Sequence, residues 1–432
     1  MLEVRIGIIG FGTVGAGVAE ALLKNGDLIA KRTGFRPVLQ KIADIDVTRD
    51  RGVVLPEGVL TTDYKEVTDA EDIQIVVELV GGKTFAKDVI LRALRNGKSV
   101  VTANKALLAA YGKELFAVAA ENGVDIGFEA SVGGGIPCIK AIREGLVCNH
   151  VKSILGILNG TCNYILTKME KEHAAFEDVL RAAQANGYAE ANPALDVDGF
   201  DTAHKAAVLA SLVFGRWFTS EDFEVEGIRN VTTMDIESAG AMGYKIKLLA
   251  ILKASDGKVQ IGVHPALVPA HSLLGSVSDV YNAVWVDADV VGKTMYYGRG
   301  AGRQATASAV VADITDIGLN LVNKSSRRIP AFPQYDDYQE MALESAYNGR
   351  FYIRIQVKDL PGVMSAVTGI LAKQGISLAS VNQKETEEDD NVSMILLTHF
   401  ANEGALNAAI EGISQLPEVM DAPVVFRIED AI

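Results

Sequence analysis

An α/β chain is the fold the sequence predicts: a parallel-sheet domain first, an α+β domain in the middle, and a small α+β module last. Three observations carry this. Short β-branched runs alternate with helical stretches through residues 1–130, the alternation is lost from Ser131 onward, and Arg350–Ile432 repeats a strand–helix–strand rhythm twice. At roughly 100–200 residues per domain, 432 residues supply two to four domains.

Taken in order, Val4–Ile9 is a β-branched strand, and Val14–Leu23 places apolar residues at helical spacing. Val38–Ala43 is a second strand and Ile73–Leu79 a third. The helical stretch Phe85–Arg95 leads to a fourth strand, Val100–Thr102, and Val124–Glu129 is a fifth. Short apolar strands separated by helices indicate βαβ units and a sheet covered on both faces. Residues 131–299 form the middle domain, opened by Gly133, Gly134 and Gly135 ahead of Pro137. Within it Ala175–Ala185 and Thr202–Phe214 read as helices, and Lys152–Leu158 and Lys258–Leu267 as strands. The small-residue helix Ala305–Leu319 is expected to return to the first domain, completing it with about residues 300–322.

A linker follows at 323–349, with Ser325, Ser326, Pro330 and Pro333 in its looser part. The tail, 350–432, predicts strand Phe351–Val357, helix Gly362–Gln374, strand Ser377–Lys384, an acidic turn Glu385–Asp390, strand Val392–Thr398, helix Glu403–Gln415 and strand Val424–Ile428. That order, βαββαβ, is ferredoxin-like. A linker with few apolar residues predicts a tail separable from the rest.

Composition removes several classes of function. With 41 Lys+Arg against 55 Asp+Glu the net charge is −14, which argues against a nucleic-acid or anionic-membrane binder, since both need a basic footprint. Hydrophobic residues at 49% and charged residues at 22% are ordinary for a globular chain. The three cysteines, Cys138, Cys148 and Cys162, form no CxxC pair, so neither a disulfide framework nor a zinc ribbon is expected. No apolar run reaches the roughly 18–20 residues that span a bilayer, and MLEVRIGIIGFG lacks the features of a secretory signal. The expectation is a soluble, cytoplasmic protein.

The motif Gly10-Phe11-Gly12-Thr13-Val14-Gly15 follows a β-branched strand and opens a helix. In that context Gly10 permits a tight turn, Gly12 lets backbone approach a pyrophosphate, and Gly15 allows close helix–strand packing. The helix N-terminus then offers unpaired N–H groups to the phosphates of NAD or NADP. A tight βα turn without a ligand fits the same residues. Asp44, at the end of the second strand, is placed to accept from ribose hydroxyls, although it lies 29 positions after Gly15 rather than the usual 20 or so. A solvated loop carboxylate is the alternative. Thr102-Ala103-Asn104-Lys105 stands at the C-terminal end of the fourth strand, where ligands bind in open α/β sheets, so Lys105 faces nicotinamide and substrate unless it is a surface lysine. These features make the first domain Rossmann-type.

The stretch Ala183–Lys205 ends a helix at Gly187, crosses a carboxylate-rich loop and enters another helix near Asp201. Glu190, Asp196, Asp198 and Asp201 fall within twelve residues, and Lys205 sits four residues after Asp201 on the same helical face. That set suits a substrate carrying an ammonium group and needing proton transfer. Helix capping accounts for Asp201 but not for the cluster, and the spacing does not fit a calcium-binding EF-hand.

These residues, as A-x3-G-Y followed by N-P-x2-D-V-x-G-x-D-x3-K, resemble the signature of homoserine dehydrogenases, and the resemblance covers roughly residues 1–325. The tail, with Asp359-Leu360-Pro361-Gly362-Val363 and Gly375-Ile376, resembles an ACT domain, an amino-acid-sensing module. The resemblance implies reversible oxidation of L-homoserine to L-aspartate 4-semialdehyde with NAD or NADP. It implies Lys205 as proton donor and acceptor at the C4 oxygen, Glu190 and Asp201 holding the amino acid, Asp196 orienting the lysine, and Lys105 touching cofactor and substrate. Gly187 and Gly302 match cofactor-contacting positions. Glu129 and the carbonyls of Val132, Gly134 and Ile136 match a monovalent-cation loop for Na⁺ or K⁺; an unliganded interdomain hinge is the structural alternative.

Relatives often carry Ala-Val-Arg-Asp where this chain has Ala43-Asp44-Ile45-Asp46, so the arginine for a 2′-phosphate is missing and NAD is favoured. Lys41 and Arg49 are the fallback phosphate partners. The middle domain is expected to serve substrate binding and dimerisation, giving a homodimer or homotetramer, with threonine the first guess for an effector of the tail. Two rivals stay open: another amino-acid dehydrogenase, and a non-catalytic amino-acid sensor.

Overall fold

The computed structural model describes residues 2–255, 257–326, 328–332, 342–344, 347–383 and 391–430. They fall into two compact units. The first comprises Met1–Gly160, Asp201–Asp222 and Val280–Met341, and the second Thr161–Phe200, Phe223–Asp279 and Ala342–Ile432.

The first unit holds the parallel sheet. Its strands are β1 (Leu2–Ile9), β2 (Phe35–Ala43), β3 (Leu60–Thr61), β4 (Ile75–Glu78), β5 (Ser99–Thr102) and β6 (Ile126–Gly127), in the order β3-β2-β1-β4-β5-β6. Every described pairing among them is parallel. All four residues of β4 and of β5 are buried, as a strand covered on both faces requires. Helices α1 (Thr13–Thr33), α2 (Lys65–Thr68), α3 (Thr84–Arg95) and α4 (Lys105–Glu121) connect the strands. The long spacing from Gly15 to Asp44 has a plain cause: α1 runs for 21 residues and stops only at Gly34, left-handed at φ +81°. Strand β3, two residues long, leaves no periodicity to read.

Helix Arg303–Val322 packs back onto this sheet. Its Ala307, Val310, Ile314 and Ile317 share one core cluster with Val18 and Leu22 of α1 and Phe35 and Leu39 of β2. Gly17 permits the approach, since a Cβ there would lie 2.7 Å from the Arg303 carbonyl oxygen. By length and composition this helix alone among those described could cross a membrane. The same unit carries Val151–Ile157, paired antiparallel to Tyr281–Ala288, which pairs in turn with Gly292–Arg299. Helix Phe200–Phe214 is buried at almost every position, consistent with its nearly continuous apolar sequence.

In the second unit Tyr244–Ser255 and Lys258–Pro269 form a long antiparallel hairpin. The tail shows the anticipated βαββαβ order, with strands Asn348–Lys358, Leu378–Gln383, Asn391–Thr398 and Val424–Ile428 and helices Val363–Lys373 and Glu403–Ser414. Strand and helix faces meet in a core of Phe351, Ile353, Ile355, Val367, Leu371, Leu396 and Leu406. The acidic turn Glu385–Asp390 lies outside the described residues.

The tail does not stand apart from the middle of the chain but packs on the hairpin of the same unit. Val424–Ile428 pairs in parallel with Lys258–Pro269 through Arg427↔Ala266 and Ile428↔Leu267. Lys253 Nζ donates to both Glu429 carboxylate oxygens at 2.8 Å, and fully buried Asp235 accepts from Tyr352 Oη at 2.8 Å and Arg354 Nε at 2.6 Å. The tail's own strands make this attachment, and the linker adds to it, with Ala342–Leu343 pairing in parallel with Lys258 and Val259 and Glu344 pairing with Lys258 at 2.8 Å.

Candidate active site

The site is assembled at the C-terminal ends of the parallel strands, where open α/β sheets bind ligands. After β1, Gly10 takes φ +101°, and a Cβ on it would lie 2.6 Å from the Leu79 carbonyl carbon. A Cβ on Gly15 would lie 2.0 Å from the Gly10 oxygen, so only glycine lets α1 start here. Gly12 is the N-cap, with open space where a Cβ would project. No side chain caps α1, and its first turn, including Thr13 and Val14, carries no acidic residue. The helix start is thus left free for an anion. Gly302 (φ +126°) opens the helix Arg303–Val322 in the same way, with no side-chain cap and no acid in the first turn.

Asp44, just after β2, turns back to the glycine loop. Its Oδ2 accepts from Phe11 N at 2.5 Å and its Oδ1 from Asp46 N at 2.8 Å. Lys41, one fallback phosphate partner, is occupied elsewhere, donating to the Gly58 carbonyl at 3.0 Å and pairing with Glu66 at 3.1 Å.

After β4 and β5, buried Glu78 accepts from Thr102 Oγ1 at 2.7 Å and from the amides of Val80 and Gly81. Burial pushes the Glu78 carboxyl above its ordinary range, against those hydrogen bonds. Thr102 Oγ1 accepts from Asn104 N, and Asn104 caps α4 by accepting from Leu107 N at 3.1 Å. The chain Glu78–Thr102–Asn104 fixes where α4 starts, and Lys105 is its first residue.

Lys105 reaches the core of the site. Its Nζ lies 3.1 Å from Asp201 Oδ1, while Lys205 Nζ lies 2.6 Å from Asp201 Oδ2. Lys205 also donates to the Leu158 carbonyl at 2.6 Å, and Asn159 Nδ2 donates to Asp201 Oδ2 at 3.0 Å. Asp201 is 5% exposed and Lys205 9%. Burial alone would raise the Asp201 carboxyl, but the charges of Lys205 and Lys105 and the hydrogen bonds from Lys205 and Asn159 outweigh it and hold it well below the carboxylate range. Asp201 is the carboxylate in contact with both lysines. A lysine ammonium has three donors, and two of those of Lys205 are committed to Leu158 and Asp201.

In the second unit, Glu190 is exposed and Asp196 half-buried on the stretch between helices Phe176–Ala185 and Phe200–Phe214. Gly187 ends the first of these helices at φ +75° with space around it. Tyr188 O accepts from Thr161 Oγ1 at 2.8 Å, pinning the loop, and the Asp196 carbonyl accepts from Cys162 Sγ.

Glu129 is buried after β6. Its two carboxylate oxygens accept from Ile139 N and Lys140 N, each at 2.8 Å, and its own N–H donates to Asp313 Oδ2. Gly133 and Gly134, both at positive φ, fold the loop between Val132 and Ile136, and the Ile136 carbonyl accepts from Cys138 N. Among the described residues no cluster of three His, Cys, Asp or Glu could hold a metal. Only hard, mostly carbonyl oxygen donors are offered, a set that fits a monovalent ion better than a transition metal.

Sequence reading missed Asn159, Glu78 and Arg51. Asn159 meets Asp201, and Glu78 meets Thr102, only through the fold, although an acid ending a β-branched run, as in Ile75–Glu78, was a visible signal. Arg51 Nε donates to the Phe11 carbonyl at 2.8 Å, over the glycine loop, from a segment with no periodicity.

A Rossmann-type sheet with an uncapped glycine loop and a carboxylate holding two lysines defines an NAD(P)-dependent dehydrogenase. Comparison with known proteins narrows the class. Residues 10–129 match the model for the homoserine dehydrogenase NAD-binding domain, residues 137–315 that for homoserine dehydrogenase, and residues 351–418 that for the ACT domain. The homoserine dehydrogenase of Pseudomonas aeruginosa is 44% identical, with 99% of each chain covered. A crystal structure of a homoserine dehydrogenase from Thiobacillus denitrificans superposes with a TM-score of 0.93 at 41% identity, over 99% of this chain and 98% of that one. A hyperthermophilic archaeal homoserine dehydrogenase in complex with NADPH gives 0.62 at 29% identity, over 74% of this chain and 98% of that one. The chain belongs to the homoserine dehydrogenase family, an NAD(P)-dependent oxidoreductase with a C-terminal ACT domain.

Proposed function

We propose that Lys205 is the proton-transfer group of homoserine oxidation, held in place by Asp201, with Lys105 beside it. The observation that carries this is the single Asp201 carboxylate bound by both lysines, at 2.6 and 3.1 Å. Bound NAD(P) supplies the hydride acceptor. Lys205, as the free amine, takes the hydroxyl proton at the C4 oxygen of homoserine; in the reverse direction its ammonium returns that proton as the aldehyde is reduced. Lys105 adds a second positive charge where the oxygen becomes anionic. Glu190 pairs the substrate ammonium, and Asp196 supports the loop that carries it. Gly10, Phe11, Gly12, Thr13, Val14 and Gly15 line the pyrophosphate, with Gly187 and Gly302 giving close backbone approach.

NAD is the favoured cofactor, because Asp44 and Asp46 place carboxylates where NADP carries its 2′-phosphate. The NADPH-bound archaeal relative supports the same cleft accepting either form. Na⁺ or K⁺ sits at Glu129 and the carbonyls of Val132, Gly134 and Ile136; a buried carboxylate beside a loop folded by Gly133 and Gly134 at positive φ supports this reading. The enzyme works in the cytoplasm as a homodimer or homotetramer, and threonine is the effector expected at the tail. The substrate assignment is tested with Glu190→Gln. Its KM for homoserine should rise roughly 10- to 100-fold, the loss expected for an ionic hydrogen bond, while the KM for NAD⁺ stays within about threefold. Equal rises for both would remove Glu190 from the substrate.

A further inference from the structure

The residues after β2 hold a feature that the cofactor assignment leaves unexplained. Arg51 lies across the glycine loop with its side chain 13% exposed, and its Nε donates to the Phe11 carbonyl. Its guanidinium faces two carboxylates without closing a hydrogen bond to either: Nη2 is 3.8 Å from Asp44 Oδ1 and Nη1 is 3.6 Å from Asp46 Oδ2. Nη2 makes one long bond, 3.3 Å, to the Asp46 carbonyl, and Nη1 is buried with no hydrogen-bond partner at all. A buried, unsatisfied guanidinium nitrogen costs free energy that a ligand oxygen would recover.

Its neighbours favour such a ligand. Both Asp44 oxygens are committed to backbone amides of Phe11 and Asp46, so Asp44 belongs to the loop and the arginine is not locked to it. The Arg51 carbonyl is held by Arg303 Nη1 at 3.1 Å, and Arg303 pairs with Glu20 of α1 at 3.1 Å. The arginine's backbone is therefore anchored while its side chain sits in loose ionic contact at the end of β2, where adenosine ribose binds in this fold.

We propose that Arg51 is the residue through which this enzyme admits NADP(H): its guanidinium exchanges the long contacts to Asp44 and Asp46 for hydrogen bonds to the 2′-phosphate. This rests on the placement of adenosine ribose at Asp44. Lys41 is engaged elsewhere, and among the described residues Arg51 is the cation in contact with both ribose-side carboxylates. With NAD(H) the arginine keeps its carboxylates, and the three groups leave one net negative charge around the bare hydroxyl. With NADP(H) the planar guanidinium meets a phosphate it can bind bidentately.

The test is steady-state kcat/KM for NADH and NADPH in aspartate-semialdehyde reduction, for the wild type, Arg51→Ala and Arg51→Lys, with melting temperatures recorded for each. Arg51→Ala should lose roughly 10- to 100-fold in kcat/KM with NADPH, through KM, the range for a charge-assisted hydrogen-bonded pair, and less than about threefold with NADH. Arg51→Lys should recover part of the NADPH loss, because charge is kept and the fork is not. Raising ionic strength should weaken NADPH in the wild type more than in Arg51→Ala. Equal losses with both cofactors, or an unchanged NADPH value, would overturn the proposal and leave Arg51 as a brace for the glycine loop. So would a wild type unable to use NADPH. A wild type that prefers NADPH would instead overturn the preference for NAD while leaving Arg51 in its role.

Discussion

Asp201 keeps two lysines on one buried carboxylate, and removing either partner of such a cluster leaves an uncompensated charge away from water. Lys205, Asp201 and Lys105 were legible before any coordinates, because i,i+4 spacing and strand-end position are local facts. Asn159 was not, since it meets Asp201 only through the fold. Lys247 shows the same limit. Nothing in the sequence sets it apart from any exposed lysine, yet it is 1% exposed, donating to Val277 O at 2.6 Å and Asn163 Oδ1 at 3.2 Å. Burial pushes it down to about 8, with Glu170 and Asp279 opposing and Lys245 and Lys171 reinforcing the shift. Between pH 8 and the unfolded value near 10.5 the unfolded chain binds more protons at this residue than the folded one, so its contribution to stability should rise with pH across that window. Melting curves of wild type and Lys247→Met from pH 7 to 10 check this: the gap should move in favour of the wild type above pH 8. Parallel curves would show that Lys247 keeps its ordinary titration.

Elements were read best where their pattern was local. β1, β2, α1 and α3 were found because alternation, helical spacing and the glycine loop agree. Strand Tyr244–Ser255 was missed because its Lys, Leu and Ala residues favour helix on their own, and pairing with Lys258–Pro269 overrides that preference. Helix Thr233–Ala241 did carry a start signal, a capping box in which Thr232 accepts from Asp235 N while Asp235 accepts from Thr232 N. The same Asp235 accepts from Tyr352 and Arg354 of the tail's first strand. Asp235→Ala removes the reciprocal half of the capping box, leaving Thr232 to cap the backbone N–H, and strands the largely buried Arg354 guanidinium, so it should cost about 3–5 kcal/mol in chemical denaturation. A loss below about 1 kcal/mol would mean that the helix–tail contact contributes little.

At the scale of the whole chain, the order of the modules was readable from Gly10–Gly15, the Ala183–Lys205 signature and the βαββαβ tail. Missing was that Val424–Ile428 extends the hairpin sheet, because strand partners distant in sequence leave no periodicity. The proposed function turns on what the protein does with Lys105 and Lys205. The most direct measurement is homoserine-dependent reduction of NAD⁺ by wild type and Lys205→Ala, with NAD⁺ binding titrated separately. The expected result is a fall in kcat on the order of 10²–10⁴ in the variant, the range for a general acid–base group, with NAD⁺ affinity within about threefold of wild type. A variant turning over homoserine within about tenfold of wild type would contradict Lys205 as the proton-transfer group.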